Sequence, residues 1–383
     1  MKFSLRKTIF WLHLAAGVAA GLIILIMSIT GVLLAFERQM LETADTPALS
    51  SAPSAARLSV EQLLEKAQAA APSGTTLTGL TLTSGANLPA SAAYGRESTA
   101  YLDPATGETL KPGAPGLRKF FRTVTDVHRA LAFSGDSRNT GRAITGASNL
   151  VFLFLVLSGL YLWFPRKWSW AGFRPVIWFR RKLSGKARDW NWHNVLGFWS
   201  SIPLFFIVVT GALISYPWAT NLLYRLTGNE APAAQGPPGG GGGPGRSSAP
   251  AAAPDFQGLN AVWAKAEELS PGWQTISLRL PAAKEAAFTI TAGHRGRPDL
   301  RSTLTLDPKD PAKEPKIESF SDFNTGRQLR TWGRWVHTGE AGGLTGQIIA
   351  ALASVAGVVL VWTGFALAIR RLVKMSRGRA GTN

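Results

Sequence analysis

The sequence predicts an α-helical membrane protein: four transmembrane helices in two repeated two-span halves, each half with a small α+β unit outside the bilayer. Three observations lead there. Four apolar runs, near 9–36, 144–164, 195–218 and 348–369, each approach or exceed the ~20 residues a spanning helix needs. The segment Trp11–Gly31 recurs as Trp192–Gly211: each has a His, a Gly four residues on, and Thr-Gly at 17 and 18. The sequence between the first two spans also recurs, in order, between the last two.

Charge fixes the orientation. The formal net charge of +18 suggests nucleic acid until its placement is read. Lys2, Arg6 and Lys7 precede the first span, and Arg370, Arg371, Lys374, Arg377 and Arg379 follow the last. The middle loop holds cations from Arg166 to Arg188 with no acid among them. The positive-inside rule puts both termini and this loop in the cytoplasm, without invoking nucleic acid. The chain has no Cys, which excludes disulfides, Cys-ligated clusters and covalent haem attachment. The first apolar run is about twice a signal-peptide h-region, so it reads as an uncleaved anchor.

Residues 1–37 form the first span. A periplasmic unit follows over 38–118: a loose polar linker to about 57, then a helix from Ser59, whose pairing with Gln62 makes a capping box. Strands are expected at Leu77–Leu82 and Thr99–Leu102, then the turn Asp103-Pro-Ala-Thr-Gly107. Residues 119–141 carry His128 on an amphipathic helix. The second span is 142–165, the basic loop 166–189 and the third span 190–218. Gly/Pro-rich residues 219–254, including Gly239–Gly243, read as a flexible linker. A second α+β unit occupies 255–330, with a helix at Leu259–Leu269 and strands at Thr275–Leu280, Ala287–Ala292 and Ser302–Leu306. Residues 331–343 carry His337, 344–371 form the fourth span and 372–383 a cytoplasmic tail. Matching spans run in the same direction, so the halves should pack about an axis along the membrane normal.

Four of the five His fall in matched positions. His13 and His193 lie near the cytoplasmic ends of the first and third spans. His128 and His337 lie just before the second and fourth. An intramembrane His is a functional-site hypothesis by default. Each pair is read as the two axial ligands of one haem iron. The 18 residues from His13 to Gly31 span roughly 27 Å of helix, which separates an inner site from an outer one. Gly17 and Gly197 would let a flat porphyrin lie on the backbone at the inner site; Gly31 and Gly211 would do so at the outer. Arg122, Arg129, Arg330 and Arg334 are propionate partners for the outer haem, and Lys7, Arg166 and Lys167 for the inner. Other readings stay open: helix-packing Gly, cations that serve topology or lipid, and copper or zinc on imidazole. His294 reads as a surface residue.

The segments Trp11-Leu-His13, Tyr101-Leu-Asp-Pro-Ala-Thr-Gly107, Asp189-Trp-Asn-Trp-His193-Asn and Leu157-Ser-Gly-Leu-Tyr-Leu-Trp163 followed by Pro165-Arg-Lys resemble the PepSY-associated transmembrane proteins. Among these, the FoxB-type inner-membrane ferrisiderophore reductases are the nearest likeness. The resemblance implies PepSY-like units, two b-type haems, and reduction of a ferric siderophore, foremost a hydroxamate. No Gly-x-Gly-x-x-Gly follows a strand, so electrons must come from a cytoplasmic protein or a membrane quinol. The rival readings are a haem subunit exchanging electrons with a flavoprotein or quinone, and a non-enzymatic binding or regulatory protein.

Overall fold

A computed structural model describes residues 4–52, 55–85, 88–95, 98–164, 169–232, 255–282, 285–293 and 295–380. In chain order, α1 (Leu5–Leu34) leads to α2 (Glu37–Asp45), α3 (Val60–Ala69), β1 (Leu77–Thr83), β2 (Ala90–Tyr94), β3 (Ser98–Leu102) and β4 (Thr109–Leu110). Helices α4 (Pro115–Ala130), α5 (Arg138–Trp163), α6 (Trp170–Ile177), α7 (Gly185–Ser215) and α8 (Pro217–Leu226) follow. The remainder is α9 (Leu259–Glu268), β5 (Thr275–Arg279), β6 (Ala286–Thr291), β7 (Arg301–Leu306), β8 (Lys316–Ser319), α10 (Thr325–Thr338) and α11 (Gly343–Ala380). The chain divides into a helical unit assembled from three stretches of sequence and a sheet unit assembled from two.

Four helical stretches in the helical unit are long and apolar enough to cross a bilayer: Leu5–Ala44, Gly135–Trp163, Gly185–Ser215 and Glu340–Ser376. This is a membrane protein. Its long helices form a closed ring in which α1 packs on α5 and α11, and α7 packs on the same two. The inner faces carry many small and polar residues beside aliphatic ones such as Ile24, Val195, Leu204 and Val208. Ser28, Thr30, Thr145, Ser148, Asn149, Ser158, Thr210 and Thr363 are all buried. Small residues let helix backbones approach closely where lipid offers no hydrophobic drive for association. The middle loop is more ordered than its composition suggests. Asn191 accepts from the Arg180 N–H at 3.0 Å and donates to the Pro175 and Trp178 carbonyls at 2.6 and 3.0 Å, which holds α6 against α7. Beside it Asp189, only 2% exposed, is paired with Arg370 at 2.5 Å and Arg188 at 2.9 Å.

The sheet unit corrects the expectation of two small separate units. Its eight strands form one antiparallel sheet, ordered β4-β3-β2-β1-β5-β6-β7-β8. Each stretch of sequence lays its strands outward from a central seam, and at the seam β1 pairs with β5. Leu80 lies opposite Leu278 and Leu82 opposite Ile276, all four nearly inaccessible to solvent. On the other face Thr81 and Ser277 share a hydrogen bond of 2.8 Å. Helices α3 and α9 cover one side with Val60, Leu63, Leu64 and Ala67 from one and Leu259, Val262, Trp263 and Ala266 from the other. They clasp reciprocally: the Glu61 N–H donates to the Asn260 side chain, and the Asn260 N–H to the Glu61 carboxylate, both at 3.1 Å. One core therefore stands where two were expected, because a four-stranded half leaves β1 as an unpaired edge that the other half can close.

Two smaller differences follow from local bonding. The supposed loose linker holds α2, and Ser50 and Ser51 further on are pinned by Asp103. That carboxylate is fully buried and accepts from the backbone and hydroxyl of both serines and from the Ala105 N–H. These bonds hold its pKa far below the usual carboxylate range despite burial. The Ser59–Gln62 capping box forms as expected. The spans begin earlier than apolar content alone implies, at Arg138 in α5 and Gly185 in α7, because polar turns at their ends continue the helix. Most of the Gly/Pro-rich linker, with Gly239–Gly243, lies outside the described residues.

Gly79 sits where the seam leaves no room: a Cβ there would fall 2.7 Å from the Leu278 carbonyl oxygen. Gly79→Val should lower the stability of the sheet unit by about 2–3 kcal/mol. Denaturant unfolding followed by Trp263 fluorescence reads the change, and Thr83→Val, at the end of the same strand pair, should cost far less.

Candidate functional site

Each of the four matched imidazoles is gripped at Nδ1 by an oxygen on a neighbouring helix. His13, on α1, meets the Ser158 hydroxyl of α5 at 2.8 Å. His193, on α7, meets the Thr363 hydroxyl of α11 at 2.9 Å. His128, on α4, meets the Thr30 hydroxyl of α1 at 2.8 Å. His337, on α10, meets the Ile207 carbonyl of α7 at 2.8 Å, with the Thr210 hydroxyl further off at 3.5 Å.

The direction of these bonds fixes the tautomer. The Ser158, Thr363 and Thr30 hydroxyls each donate their one proton to a carbonyl a turn earlier in their own helix, at 2.6 to 2.7 Å. Each hydroxyl oxygen must therefore accept from the ring, as the Ile207 carbonyl must. All four rings carry the proton on Nδ1 and leave Nε2 as a free lone pair. An imidazole bound to a metal through one nitrogen has its other N–H held by a protein oxygen in this way.

Near each ring lies a glycine, tight against it at Gly159 and Gly211 and at ordinary contact distance at Gly364 and Gly31. A Cβ at Gly159 would lie 3.2 Å from the His13 Cε1, at Gly364 3.5 Å from that of His193, at Gly31 3.8 Å from that of His128, and at Gly211 3.3 Å from that of His337. At Gly31 the nearer neighbour of such a Cβ is the Ser354 hydroxyl at 3.3 Å, and at Gly211 the Asn149 side-chain oxygen at 3.0 Å. Gly17 and Gly197 are different: a Cβ there would touch only a methyl of Leu155 at 3.8 Å or of Leu360 at 3.7 Å. Ser158-Gly159 and Thr363-Gly364 were not singled out from the sequence. The signal was present, because they are the same hydroxyl–glycine dipeptide as Thr30-Gly31 and Thr210-Gly211, one for each span.

The structure brings His128 and His337 together, with ring centroids 6.4 Å apart and planes at 60°. A metal–imidazole bond is about 2.0–2.1 Å; two of them in line, with the rings' own half-widths, give a centroid separation of about 6 Å. Burial pushes the His128 pKa down to about 4, with help from the nearby His337 and Arg129, and burial lowers that of His337 too. Both rings are therefore neutral at pH 7 and ready to ligate. His13 lies within charge-interaction range of His193. Among the described residues no group of three or more His, Asp or Glu side chains converges on one point. A bare ion at either pair would be short of protein ligands, whereas a porphyrin brings four nitrogens and needs only two axial imidazoles. The donor set fits haem.

The proposed cations divide. Arg129 and Arg334 lie beside the His128/His337 pair, one residue and one turn away in sequence. Arg122 and Arg330 sit about two turns before their His on α4 and α10. Lys7 is exposed; its neighbour Arg6 instead donates to the Leu162 and Phe164 carbonyls at 2.6 and 2.9 Å, capping the end of α5. Arg166, Lys167 and His294 lie outside the described residues.

Among known proteins, a family profile described as "PepSY-associated TM region" matches residues 10–371. No curated protein matches the chain. If the hydroxyls set the tautomer, Thr363→Val and Ser158→Ala should release the proton from Nδ1. Nitrogen-15 NMR of His-labelled protein stripped of any bound group would then show a mixed tautomer signal in each variant, against a single Nδ1–H form in the parent.

Proposed function

The chain belongs to the PepSY-associated TM family, and from that premise we propose that it carries electrons across the bacterial inner membrane through two b-type haems to reduce a ferric siderophore in the periplasm. The observation that carries the reading is the set of four imidazoles, each held at Nδ1 by a helix oxygen so that Nε2 keeps its lone pair. His13 and His193 would hold the inner haem, and His128 and His337 the outer. Haem, when bound, supplies a one-electron carrier held in a low-spin, six-coordinate state. The protein's own part is to ligate, space and insulate. The Nδ1 partners keep each ring from turning, Gly17 and Gly197 leave the backbone open beside the inner pair, and the ring of four helices excludes water.

Distance and charge support the direction of flow. His13 and Thr30, which holds His128, are 17 residues apart on α1, about 26 Å along the axis. The basic termini and middle loop favour the cytoplasmic leaflet for the first pair, by the positive-inside rule. Matching elements on the two stretches of sequence support a duplication, and the central pairing of β1 with β5 suits two halves that face each other across an axis. Reducing Fe(III) to Fe(II) weakens its hold on hard siderophore oxygens, so one electron per iron releases the metal. That step needs no acid, base or nucleophile from the chain.

Two measurements test the reading. The purified protein should show a Soret band that sharpens with dithionite; His13→Ala and His193→Ala should each remove one spectral component, and His128→Ala and His337→Ala the other. A colourless protein, or loss of different components from His13→Ala and His193→Ala, sinks the pairing. Dithionite-reduced protein freed of excess reductant should also reoxidise when a ferric siderophore is added, with Fe(II) trapped by a ferrous chelator. Reoxidation by flavin or quinone alone would favour the rival membrane-subunit reading.

A further inference from the structure

Guanidiniums gather beside the His128/His337 pair. The Thr145 hydroxyl of α5 lies 3.0 Å from the Arg129 carbonyl, 3.1 Å from the Arg142 carbonyl and 3.2 Å from the Gly141 carbonyl, so the end of α4 is laid against the first turns of α5. Gly141 permits this approach, since a Cβ there would fall 2.1 Å from the Ala130 carbonyl oxygen. Arg129 and Arg142 are therefore neighbours. Arg138, one turn before Arg142, ties back to Asp126 of α4 at 2.9 Å. Arg334 arrives from α10, one turn before His337, whose ring faces that of His128 at 6.4 Å.

These cations repel one another. Arg142, Arg138 and Arg334 all lie within charge-interaction range of the Arg129 guanidinium, as does the Asp126 carboxylate. Asp126 is already shared with Arg138. Among the described residues, Arg129, Arg142 and Arg334 form no ion pair with a carboxylate. Topology does not call for them, because the positive-inside rule wants cations at the opposite ends of these helices. Like charges held together without acids are stabilised by an anion, and arginine's planar fork suits carboxylate and other oxyanions.

Resting on the reductase reading above, we propose that Arg129, Arg142 and Arg334 form the receiving site for the ferric substrate, and that the substrate class is chelates of net negative charge, with carboxylate or catecholate donors, rather than neutral hydroxamates. The cluster would draw an anionic chelate to the mouth of the His128/His337 site by long-range steering. It would also hold the chelate where the outer haem edge is nearest.

The test uses the full-length protein with its bound cofactor in non-ionic detergent, so that no lipid phosphate competes. Redox-inert gallium(III) complexes stand in for the iron ones, and calorimetry measures binding. The anionic tris-catecholate should bind about tenfold or more tightly than the neutral tris-hydroxamate at low salt, with the difference shrinking as salt rises from about 0.05 to 0.5 M. Arg142→Gln and Arg334→Gln should each weaken the anionic complex several-fold and leave the neutral one unchanged. Equal binding of the two complexes, or a preference insensitive to salt, overturns the proposal. So does a variant that shifts the absorption spectrum or haem content and keeps the preference, because the cations would then serve the cofactor's propionates. Reduction of the iron counterparts is scored separately. A gallium preference without iron reduction sinks the reductase reading and keeps the anion site; reduction without a preference does the reverse.

Discussion

The bond on which this structure depends is the short contact from a ring Nδ1–H to an oxygen on the next helix. It occurs four times. An imidazole on a spanning helix is costly unless its polar edge is satisfied, since lipid offers no partner. Here one nitrogen is satisfied by protein and the other is left bare. The donor direction is forced, because the hydroxyls have already given their protons to their own helices. A conformational choice worth little in isolation thereby becomes a fixed ligand geometry. A glycine follows each of these hydroxyls in sequence and borders the ring, most tightly at Gly159.

That bond also ties the fold to the site. Ser158 reaches His13 from α5 to α1, Thr363 reaches His193 from α11 to α7, and Thr30 reaches His128 from α1 to α4. Two of the four neighbouring pairs in the ring, α1 with α5 and α7 with α11, share an imidazole, and the other two imidazoles tie α4 and α10 to ring helices. Packing by small residues sets the close approach, and the imidazoles then register one helix against the next. Loss of a hydroxyl would therefore be felt first in ring orientation and only weakly in helix association.

Much of this was legible in the sequence, for reasons that differ by element. The spans were visible because a bilayer demands a long apolar run, and the four His because they recur at fixed offsets. The capping box at Ser59 is a local pattern and was read correctly. What stayed hidden was non-local. Ser158 and Gly159 read as ordinary span residues until α5 is laid beside α1, and the union of two strand sets depends on an edge-to-edge meeting that periodicity cannot encode. Gly31 and Gly211 were noticed, but not the Ser354 and Asn149 oxygens that lie against them, because a glycine signals close approach without saying what approaches. The ordering of Ser50 and Ser51 was missed because the carboxylate that pins them is some fifty residues away.

The central seam has a consequence for how the protein is made. Thr81 and Ser277, paired across it, are 196 positions apart in the chain. At a synthesis rate of about 5–20 residues per second, β1 waits on the order of 10–40 s before its partner exists. During that interval a bare strand edge, backed by an apolar face, is open to any passing polypeptide. Biogenesis therefore imposes a vulnerable window that the finished molecule no longer displays, and whatever covers that one strand for so long decides the yield.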